Sequence, residues 1–415
     1  MQEFKMDKVF SPQDVETRIY EKWESSGAFK PVIDPEKQPF TIVMPPPNIT
    51  GQLHVGHALD EMPQDVLIRY HRMKGDPTLW VPGTDHASIA TEIKVVEALK
   101  AEGISKEDIG REKFLERAWA WKKEYGGRIV RQLRKLGVSC DWSRERFTMD
   151  EGLSRAVRET FVRLYEKGLI YRGARIINWC PTCKTALSDA EVEYVEQDSH
   201  LWHIRYPGAH GDIVVATTRP ETMLGDTAVA VHPEDERYKA YIGKQITVPL
   251  YEYEVPILSD ERVSIEKGTG VVMCATFGDS TDLDWYNDYQ LPYRQVILPD
   301  GRIAADVPYI AGLSVRAARK EIIRLLDEKG LLLKSEKLTH TVSIHERCGT
   351  EVEIIPSQQW YIDVLNIKEE LLKAGDAINW YPASMKNRYR MWVENLKWDW
   401  CISRQRYFGV PFPVW

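Results

Sequence analysis

Two histidines three residues apart, His54 and His57, have a spacing that suggests phosphate chemistry. They follow the β-rich run Phe40–Met44 and three prolines, and they open a segment with helical periodicity. Residues three apart in a helix lie on one side, so both imidazoles face the same side of the first turn. The free N–H groups and dipole of a helix start favour anions, and Gly56 leaves room for a flat base. Such a site could stabilise charge on an α-phosphorus; two ordinary capping histidines are the alternative.

A carboxylate, Asp85, follows the next strand-like run, Thr78–Val81, which comes after the helical segment His54–Lys74. Strand, tight loop, helix and strand make a βαβ unit and predict an α/β fold with a parallel sheet. Ligands of such sheets bind beyond the carboxyl ends of the strands, where a carboxylate can hold an α-ammonium group. A turn-forming aspartate is the alternative. The helix residues predicted to face the core are Leu59, Met62, Val66, Leu67 and Tyr70.

Four residues have the spacing of a divided metal site. Cys180 and Cys183 form one pair, and His345 and Cys348 form a second pair with the same separation. Thiolate and imidazole ligands in this mixture suit tetrahedral Zn²⁺. The alternatives are a redox-active C-x-x-C pair or no metal. Because a long β-rich block separates the two pairs, a metal would join the base of that block.

The β-rich block holds two polar clusters. The first is a turn rich in hydroxyl groups, with the residues Thr217, Thr218, Arg219 and Thr222. Hydroxyl groups beside one arginine suit a ribose and a phosphate, although a capped turn has the same composition. In the second cluster, Asp279 and Asp282 are three residues apart and could present two carboxylates to one pocket. Exposed loop acids are the alternative there.

Short β-like runs dominate from about residue 190 to residue 298, between two mostly helical stretches. The first predicted helix has Ser11 as its cap, Pro12 at its first position and Gly27 at its end. Residues 105–170 and the Trp-rich stretch after Cys348 are also predicted to be mostly helical. The predicted strands of the block are Leu201–Tyr206, Asp212–Thr218, Gln245–Leu250 and Gly270–Ala275, followed by a helix over Val315–Glu328. This order predicts one domain inserted into another.

Composition excludes several classes of protein. The chain has 415 residues, 28% of them charged, which excludes a disordered or collagen-like chain. A net charge of −7 disfavours a protein that coats nucleic acid generally. No apolar run is long enough to span a membrane, the N-terminus lacks a secretory signal, and six cysteines suit a reducing cytoplasm. The apolar end Pro413–Trp415 predicts a fragment of a longer protein.

Two long motifs resemble those of the class I aminoacyl-tRNA synthetases. The segment Pro45–His57 is similar to their HIGH signature, and Pro82–Glu92 resembles the G-T-D-H-A-x-I-A-T motif of the valyl branch. The resemblance implies a Rossmann-type parallel sheet interrupted by an inserted β-rich α+β editing domain. It divides the chain into a catalytic first half (1–190), the editing domain (191–344) and a return to the catalytic domain (345–415).

The resemblance also implies an activity and its partners. The expected reaction is ATP-dependent activation of valine to valyl-adenylate and transfer to tRNA(Val), with hydrolysis of threonine-charged tRNA. The expected cofactors are ATP and Mg²⁺, together with a structural Zn²⁺. The protein is expected to be monomeric and cytoplasmic, without membrane contact. His54, Gly56 and His57 would bind ATP, with the two histidines catalytic. Valine would bind Pro46, Asn48, Asp85 and Trp400, and editing would use the Thr217–Thr222 turn, Asp279 and the catalytic Asp282.

Three alternatives stay open at this point. They are an isoleucyl-type synthetase, a tRNA-binding paralogue without catalysis, and a different H-x-G-H nucleotidyltransferase. The second ATP motif of the family, Lys-Met-Ser-Lys-Ser, does not occur in the sequence. We therefore expect this chain alone to retain editing at most. His345 departs from the cysteine usual at its position, and plain core packing is the alternative for Trp400.

Overall fold

The backbone, a computed structural model that describes residues 9–277 and 280–415, divides into two units. One comprises Met1–Lys167 with Arg406–Trp415, and the other comprises Gly168–Gln405. The division at residues 190 and 344 stays a prediction. Across the described ranges, no helix combines the length and apolar character that crossing a membrane requires.

The first unit contains the predicted βαβ segment. Its elements are α1 (Pro12–Ser25), β1 (Phe40–Val43), α2 (Val55–Lys74), β2 (Thr78–Val81), β3 (Gly83–Thr84), α3 (Ser88–Ala101), α4 (Lys106–Lys135, with a break at Gly110), β4 (Arg146–Phe147) and α5 (Glu151–Glu166). Strands β1 and β2 pair in parallel from Phe40 opposite Thr78 to Val43 opposite Val81, and β3 pairs in parallel with β4. The predicted parallel pairing is therefore confirmed. Fully buried side chains such as Ile49, Trp80 and Phe114 form the core.

Helix α1 begins at Pro12, as predicted, but the Ser11 side chain makes no capping hydrogen bond. Ser11 therefore occupies the N-cap position, as predicted, without the capping bond, and Pro12, which needs no hydrogen-bonded N–H, marks the start. Gly27 lies just beyond the helix with a φ of 74°, a left-handed conformation that glycine adopts without strain.

Helix α2 packs with the opposite face from the predicted one. Leu59, Met62, Val66, Leu67 and Tyr70 are 48–68% exposed, whereas Glu61 and Ile68 are buried. Polar side chains of the helix instead form hydrogen bonds with the rest of the first unit. Asp65 accepts the backbone N–H of Ser139 at 3.0 Å, and Arg72 donates to the carbonyl oxygen of Ser139 at 2.6 Å. These bonds fix the rotation of the helix and leave its apolar stripe on the surface.

The second unit is built from three sheets with helices beside them. Its elements are β5 (Ile170–Cys180), β6 (Thr185–Leu187), β7 (Val192–Tyr206), β8 (Ile213–Thr217), β9 (Asp226–Val231), β10 (Gln245–Thr247), β11 (Glu254–Ser259), β12 (Val271–Ala275), α6 (Ser280–Tyr289), α7 (Val315–Glu328), β13 (Leu332–His345), β14 (Glu353–Ile362), α8 (Lys368–Asp376), α9 (Met385–Glu394) and β15 (Trp400–Cys401). The sheet orders are β10-β11-β9-β12, β13-β7-β8 and β15-β14-β5-β6. The four strands predicted between residues 201 and 275 are confirmed, with shifted ends.

One stretch of the second unit differs from its prediction. The residues after Cys348 were expected to be mostly helical, but Glu353–Ile362 forms β14 before the two short helices. This strand pairs antiparallel with β5 along ten residues, from Glu353 opposite Trp179 to Ile362 opposite Ile170. Pairing with a strand so distant in sequence outweighs the local helical preference.

Candidate functional site

His54 and His57 form the N-terminal cap of α2. The backbone N–H of Gly56 donates to Nδ1 of His54 at 3.1 Å, and the backbone N–H of His54 donates to Nδ1 of His57 at 3.2 Å. Because each Nδ1 accepts a hydrogen bond, the ring proton of each neutral imidazole lies on Nε2. Burial and the neighbouring His54 lower the pKa of His57, which keeps it neutral near pH 7. The two rings, with centroids 4.1 Å apart, present N–H donors beside a helix start.

Gly56 has a steric reason to be glycine. A Cβ at this position would lie 2.9 Å from Cε1 and Nδ1 of the His54 ring, closer than carbon atoms approach. A side chain would therefore push the ring away from the backbone N–H that fixes it. The other role expected of Gly56, leaving room for a flat base, stays a prediction.

The loop between β1 and α2 is tied to Asp85. The N–H of Asp85 donates to the carbonyl oxygen of Pro47 at 2.9 Å, and the N–H of Ile49 donates to that of Asp85 at 3.0 Å. These bonds make a short parallel bridge between Asn48 and Asp85. The structure thus brings Asn48 next to Asp85, as a shared pocket requires, whereas a contact of Pro46 with that pocket stays a prediction.

Hydrogen bonds hold the Asp85 side chain as a carboxylate. The Thr148 hydroxyl donates to Oδ1 of Asp85 at 2.8 Å, and Nδ1 of His86 lies 3.3 Å from the same oxygen. Burial would raise the pKa of Asp85, but hydrogen bonds from His86, Thr148 and the N–H of Ala87 outweigh it and lower that pKa. The side chain remains 31% exposed, so a cation can reach it. Sequence reasoning missed His86 and Thr148; only the adjacency of His86 to Asp85 could have suggested it.

Trp400 belongs to the second unit, where it lies on the two-residue strand β15. Its side chain is 56% exposed, so plain core packing does not describe it. Its role in binding valine stays a prediction.

The hydroxyl-rich turn follows β8 and continues into a 3₁₀ helix from Pro220 to Gly225. The Oγ of Thr217 accepts the N–H of Arg219 at 3.1 Å, and the Thr222 hydroxyl donates to the carbonyl oxygen of Arg219 at 2.9 Å. Thr217 and Thr222 are buried, whereas Thr218 is partly exposed. Thr222 also lines a small cavity with Thr276, Phe277, Tyr293 and neighbouring apolar residues.

Arg219 is engaged by carboxylates of its own unit. It donates to Glu353 at 2.7 Å and to Glu221 at 3.3 Å, and Arg319 forms two further bonds with Glu221. Burial would lower the pKa of Arg219, but the two carboxylates outweigh it and keep the guanidinium charged. The predicted contact of Arg219 with a nucleotide therefore has to compete with these ion pairs.

Asp282 lies in the first turn of α6 and is 7% exposed. Asp279 lies outside the described residues. A third carboxyl group that sequence reasoning missed is close to Asp282. Asp226 is fully buried and accepts a hydrogen bond from the Tyr206 hydroxyl at 2.6 Å. Burial, and secondarily the charge of Asp282, raise the pKa of Asp226, which favours its protonated form.

Cys180, Cys183, His345 and Cys348 come together at the ends of β5 and β13, with their ligand atoms within 4.8 Å of one another. The N–H of Cys183 points to the sulfur of Cys180 at 3.3 Å, and Nδ1 of His345 lies 3.1 Å from the sulfur of Cys348. Hydrogen bonds from the other two cysteines lower the pKa of the Cys348 thiol, which favours a thiolate. Three sulfurs and one imidazole at these separations fit a tetrahedral metal ion. The structure thus brings the four predicted ligands together, and their binding of a metal stays a prediction.

Comparisons with known proteins agree on one family. Residues 18–415 match the family described as tRNA synthetases class I (I, L, M and V). The chain is 51% identical to the valine–tRNA ligase of Carboxydothermus hydrogenoformans, over 99% of this chain and 47% of that protein. It is 49% identical to the valine–tRNA ligase of Fusobacterium nucleatum (99% and 47%), and 50% identical to that of Geobacter sulfurreducens (100% and 47%). The chain thus spans about half the length of the curated relatives it matches.

Among solved structures, the chain is similar to a leucyl synthetase (LeuRS) in a ternary complex with tRNA and LeuAMS from Agrobacterium radiobacter K84. The TM-score is 0.40 at 20% identity, covering 83% of this chain and 49% of the other.

Proposed function

This chain belongs to the class I tRNA synthetase family, and from that premise we propose that it carries the amino-acid-activating and editing sites of a valine–tRNA ligase. The observation that supports this best is the ionised Asp85 carboxylate, bonded through its backbone to the loop of Pro46 and Asn48. A carboxylate there suits the α-ammonium of an amino acid. Identity of about half to valine–tRNA ligases favours valine over the isoleucine alternative.

Activation would transfer the adenylyl group of ATP to the carboxylate of valine. The valine carboxylate attacks the α-phosphorus, the bond to the β-phosphate breaks, and valyl-adenylate and pyrophosphate form. The Nε2–H groups of His54 and His57 would donate to phosphate oxygens, and the N-terminus of α2 would add its dipole. Magnesium bound with ATP would neutralise phosphate charge. In the second step, the 3′ end of tRNA(Val) would take the valyl group from the adenylate.

Editing would take place in the second unit. Water attacks the ester carbon of threonyl-tRNA(Val), and the ester bond breaks to give threonine and free tRNA. Thr217, Thr218 and Thr222 would hold the terminal adenosine, and Asp282 would pair with the threonine ammonium, with Asp279 near its hydroxyl. Arg219, tied to Glu221 and Glu353, would support this turn. Editing is needed because an apolar pocket rejects an isostere with one added hydroxyl only about a hundredfold, a figure known for valyl enzymes themselves.

A structural zinc ion would join β5 to β13 through Cys180, Cys183, His345 and Cys348. The buried Cys180 and His345 and the N–H to sulfur bond of Cys183 support this. Zinc would supply four bonds to strands far apart in the sequence. None of the six cysteines, all of which lie within the described residues, forms a disulfide.

We further propose that β1 and β2 belong to a larger Rossmann-type parallel sheet, with the second unit as its editing insertion. A sheet of two parallel strands is rarely stable alone, and Val43 on β1 is 71% exposed. The apolar stripe of α2, which includes Leu59, Met62 and Val66, is also uncovered. Both observations support the larger sheet, because further strands and the elements that pack on them would bury this apolar surface.

Valine binding to this chain, measured by calorimetry, tests the activation site. Valine should bind more tightly than isoleucine, and Asp85→Ala should abolish the binding. Preference for isoleucine would overturn the valyl proposal, and binding unaffected by Asp85→Ala would remove the residue from the site.

Hydrolysis of Thr-tRNA(Val), compared with Val-tRNA(Ile), tests the editing site. The chain should release threonine preferentially, and Asp282→Ala should abolish that release. Hydrolysis of Val-tRNA(Ile) alone would point to an isoleucyl-type editing site. The exposed Asp284→Ala is the matched control on the same helix, and it should leave hydrolysis unchanged.

A further inference from the structure

The Thr148 hydroxyl oxygen lies at the centre of a hydrogen-bond network around Asp85. It lies 2.8 Å from Oδ1 of Asp85, 2.8 Å from the backbone N–H of His86 and 2.5 Å from Nδ1 of His86. Thr148 is 63 residues from Asp85 in sequence. Its backbone N–H donates to the carbonyl oxygen of Thr84, the last residue of β3, at 3.2 Å. The hydroxyl is therefore fixed relative to the strand that ends just before Asp85.

Counting hydrogens assigns the direction of each bond. A threonine hydroxyl has one proton and two lone pairs. One lone pair accepts the backbone N–H of His86, and the proton goes to Asp85. The second lone pair then faces Nδ1 of His86, so Nδ1 carries the ring proton. The hydroxyl can then form no further hydrogen bond. Asp85 accepts the hydroxyl proton, which suits its ionised form, since a carboxylate only accepts hydrogen bonds.

We propose that Thr148 is a positioning residue for amino-acid binding, holding the Asp85 carboxylate charged and in one orientation toward the substrate ammonium. This inference rests on the proposed function. Without the hydroxyl, the carboxylate loses a donor and becomes free to rotate, while Nδ1–H of His86 loses its acceptor.

The first test compares Thr148→Val with Thr148→Ser by calorimetry of valine and, separately, of ATP. Loss of a hydrogen bond to a charged group should weaken valine binding by about tenfold or more. Serine keeps the hydroxyl and should restore binding to within about threefold. ATP affinity should not change, since the hydrogen bonds of Thr148 within the described residues go to Thr84, Asp85 and His86 and not to His54 or His57. A variant that binds valine as the wild type does would overturn the proposal.

Thr91→Val is the matched control for structural damage. The Thr91 hydroxyl donates to the carbonyl oxygen of His86 at 2.6 Å, so it supports the same segment without touching the carboxylate. It should leave valine affinity within about threefold of the wild type. An equal loss of valine binding in Thr91→Val and Thr148→Val would assign the effect to the segment and overturn the proposal.

A second measurement needs no ligand. Titration of ¹³C-labelled aspartate carboxyls by NMR, with Asp85 assigned through Asp85→Asn, reports the pKa of Asp85 directly. That pKa should rise in Thr148→Val and return in Thr148→Ser; an unchanged pKa would overturn the role of Thr148. Should the wild-type chain fail to bind valine, the proposed activation site is refuted for this chain, and the titration still decides the role of Thr148.

Discussion

The Glu92 carboxylate holds the segment Arg406–Phe408 in the first unit, and Glu92→Ala is expected to release it. Glu92 is 1% exposed and accepts the backbone N–H groups of Tyr407 at 2.6 Å and Phe408 at 2.7 Å. The same carboxylate pairs with Lys106 at 2.7 Å and with Arg406 at 3.3 Å. Four donors thus depend on one side chain of α3.

The size of the expected effect follows from the burial of the Arg406 side chain. The Arg406 side chain is 7% exposed, so alanine at residue 92 leaves a buried guanidinium without this counter-charge. Truncating one partner of a buried ion pair costs about 3–5 kcal/mol. Opening of the segment should become easier by a similar amount, which is roughly a hundredfold or more in its equilibrium constant.

Hydrogen exchange followed by mass spectrometry is the assay, because it reports local opening in a chain with two units. Protection of the Tyr407 and Phe408 amides should fall about a hundredfold in Glu92→Ala. The matched control is Glu97→Ala on the same helix, whose exposed pair with Lys94 should contribute no more than about 0.5 kcal/mol. Unchanged protection in Glu92→Ala, or an equal loss in Glu97→Ala, would refute the reasoning.

Three further predictions concern stability and the candidate sites. Burial, with Asp60 and Asp65 nearby, raises the pKa of Glu61 to about 7, so the free energy of unfolding should fall as pH rises from about 4.5 to 7. Glu61→Gln should remove this pH dependence and stabilise the chain at pH 8 by up to about 3 kcal/mol, measured by urea unfolding. Purified protein should contain about one zinc per chain by mass spectrometry, and Cys180→Ser should abolish it and lower the melting temperature, whereas a metal-free wild type with the same melting temperature would contradict the zinc proposal. Gly56→Ala should displace the His54 ring and weaken ATP binding at least tenfold; unchanged ATP affinity would show that the ring position does not matter.

Local elements were predictable because their signals are local. Helix α7 spans Val315–Glu328, as predicted, with the Ser314 side chain accepting the N–H of Ala317. Strands β1 and β2 also lie where β-rich runs follow turn residues. Capping and turn residues act within a few positions, so they can be recognised without knowing the fold.

The candidate sites were predictable to the extent that their residues are grouped in short motifs. His54 with His57, and the two pairs of metal ligands, have spacings that carry chemistry by themselves. Thr148 carries no such signal, because its partner Asp85 is 63 residues away and only the pairing of β3 with β4 brings them together. The sequence suggested Arg219 as a nucleotide ligand because its ion pair with Glu353 could not be recognised there. The two residues are 134 positions apart.

Helix α2 shows most clearly which features follow from the sequence and which follow only from the tertiary structure. The sequence by itself determined that residues 55–74 are helical and amphipathic, and that two histidines open the helix. Which face is buried was decided only by tertiary structure, through the bonds of Asp65 and Arg72 to Ser139. Periodicity records that a helix has two unlike faces, whereas burial depends on which partners the rest of the chain supplies.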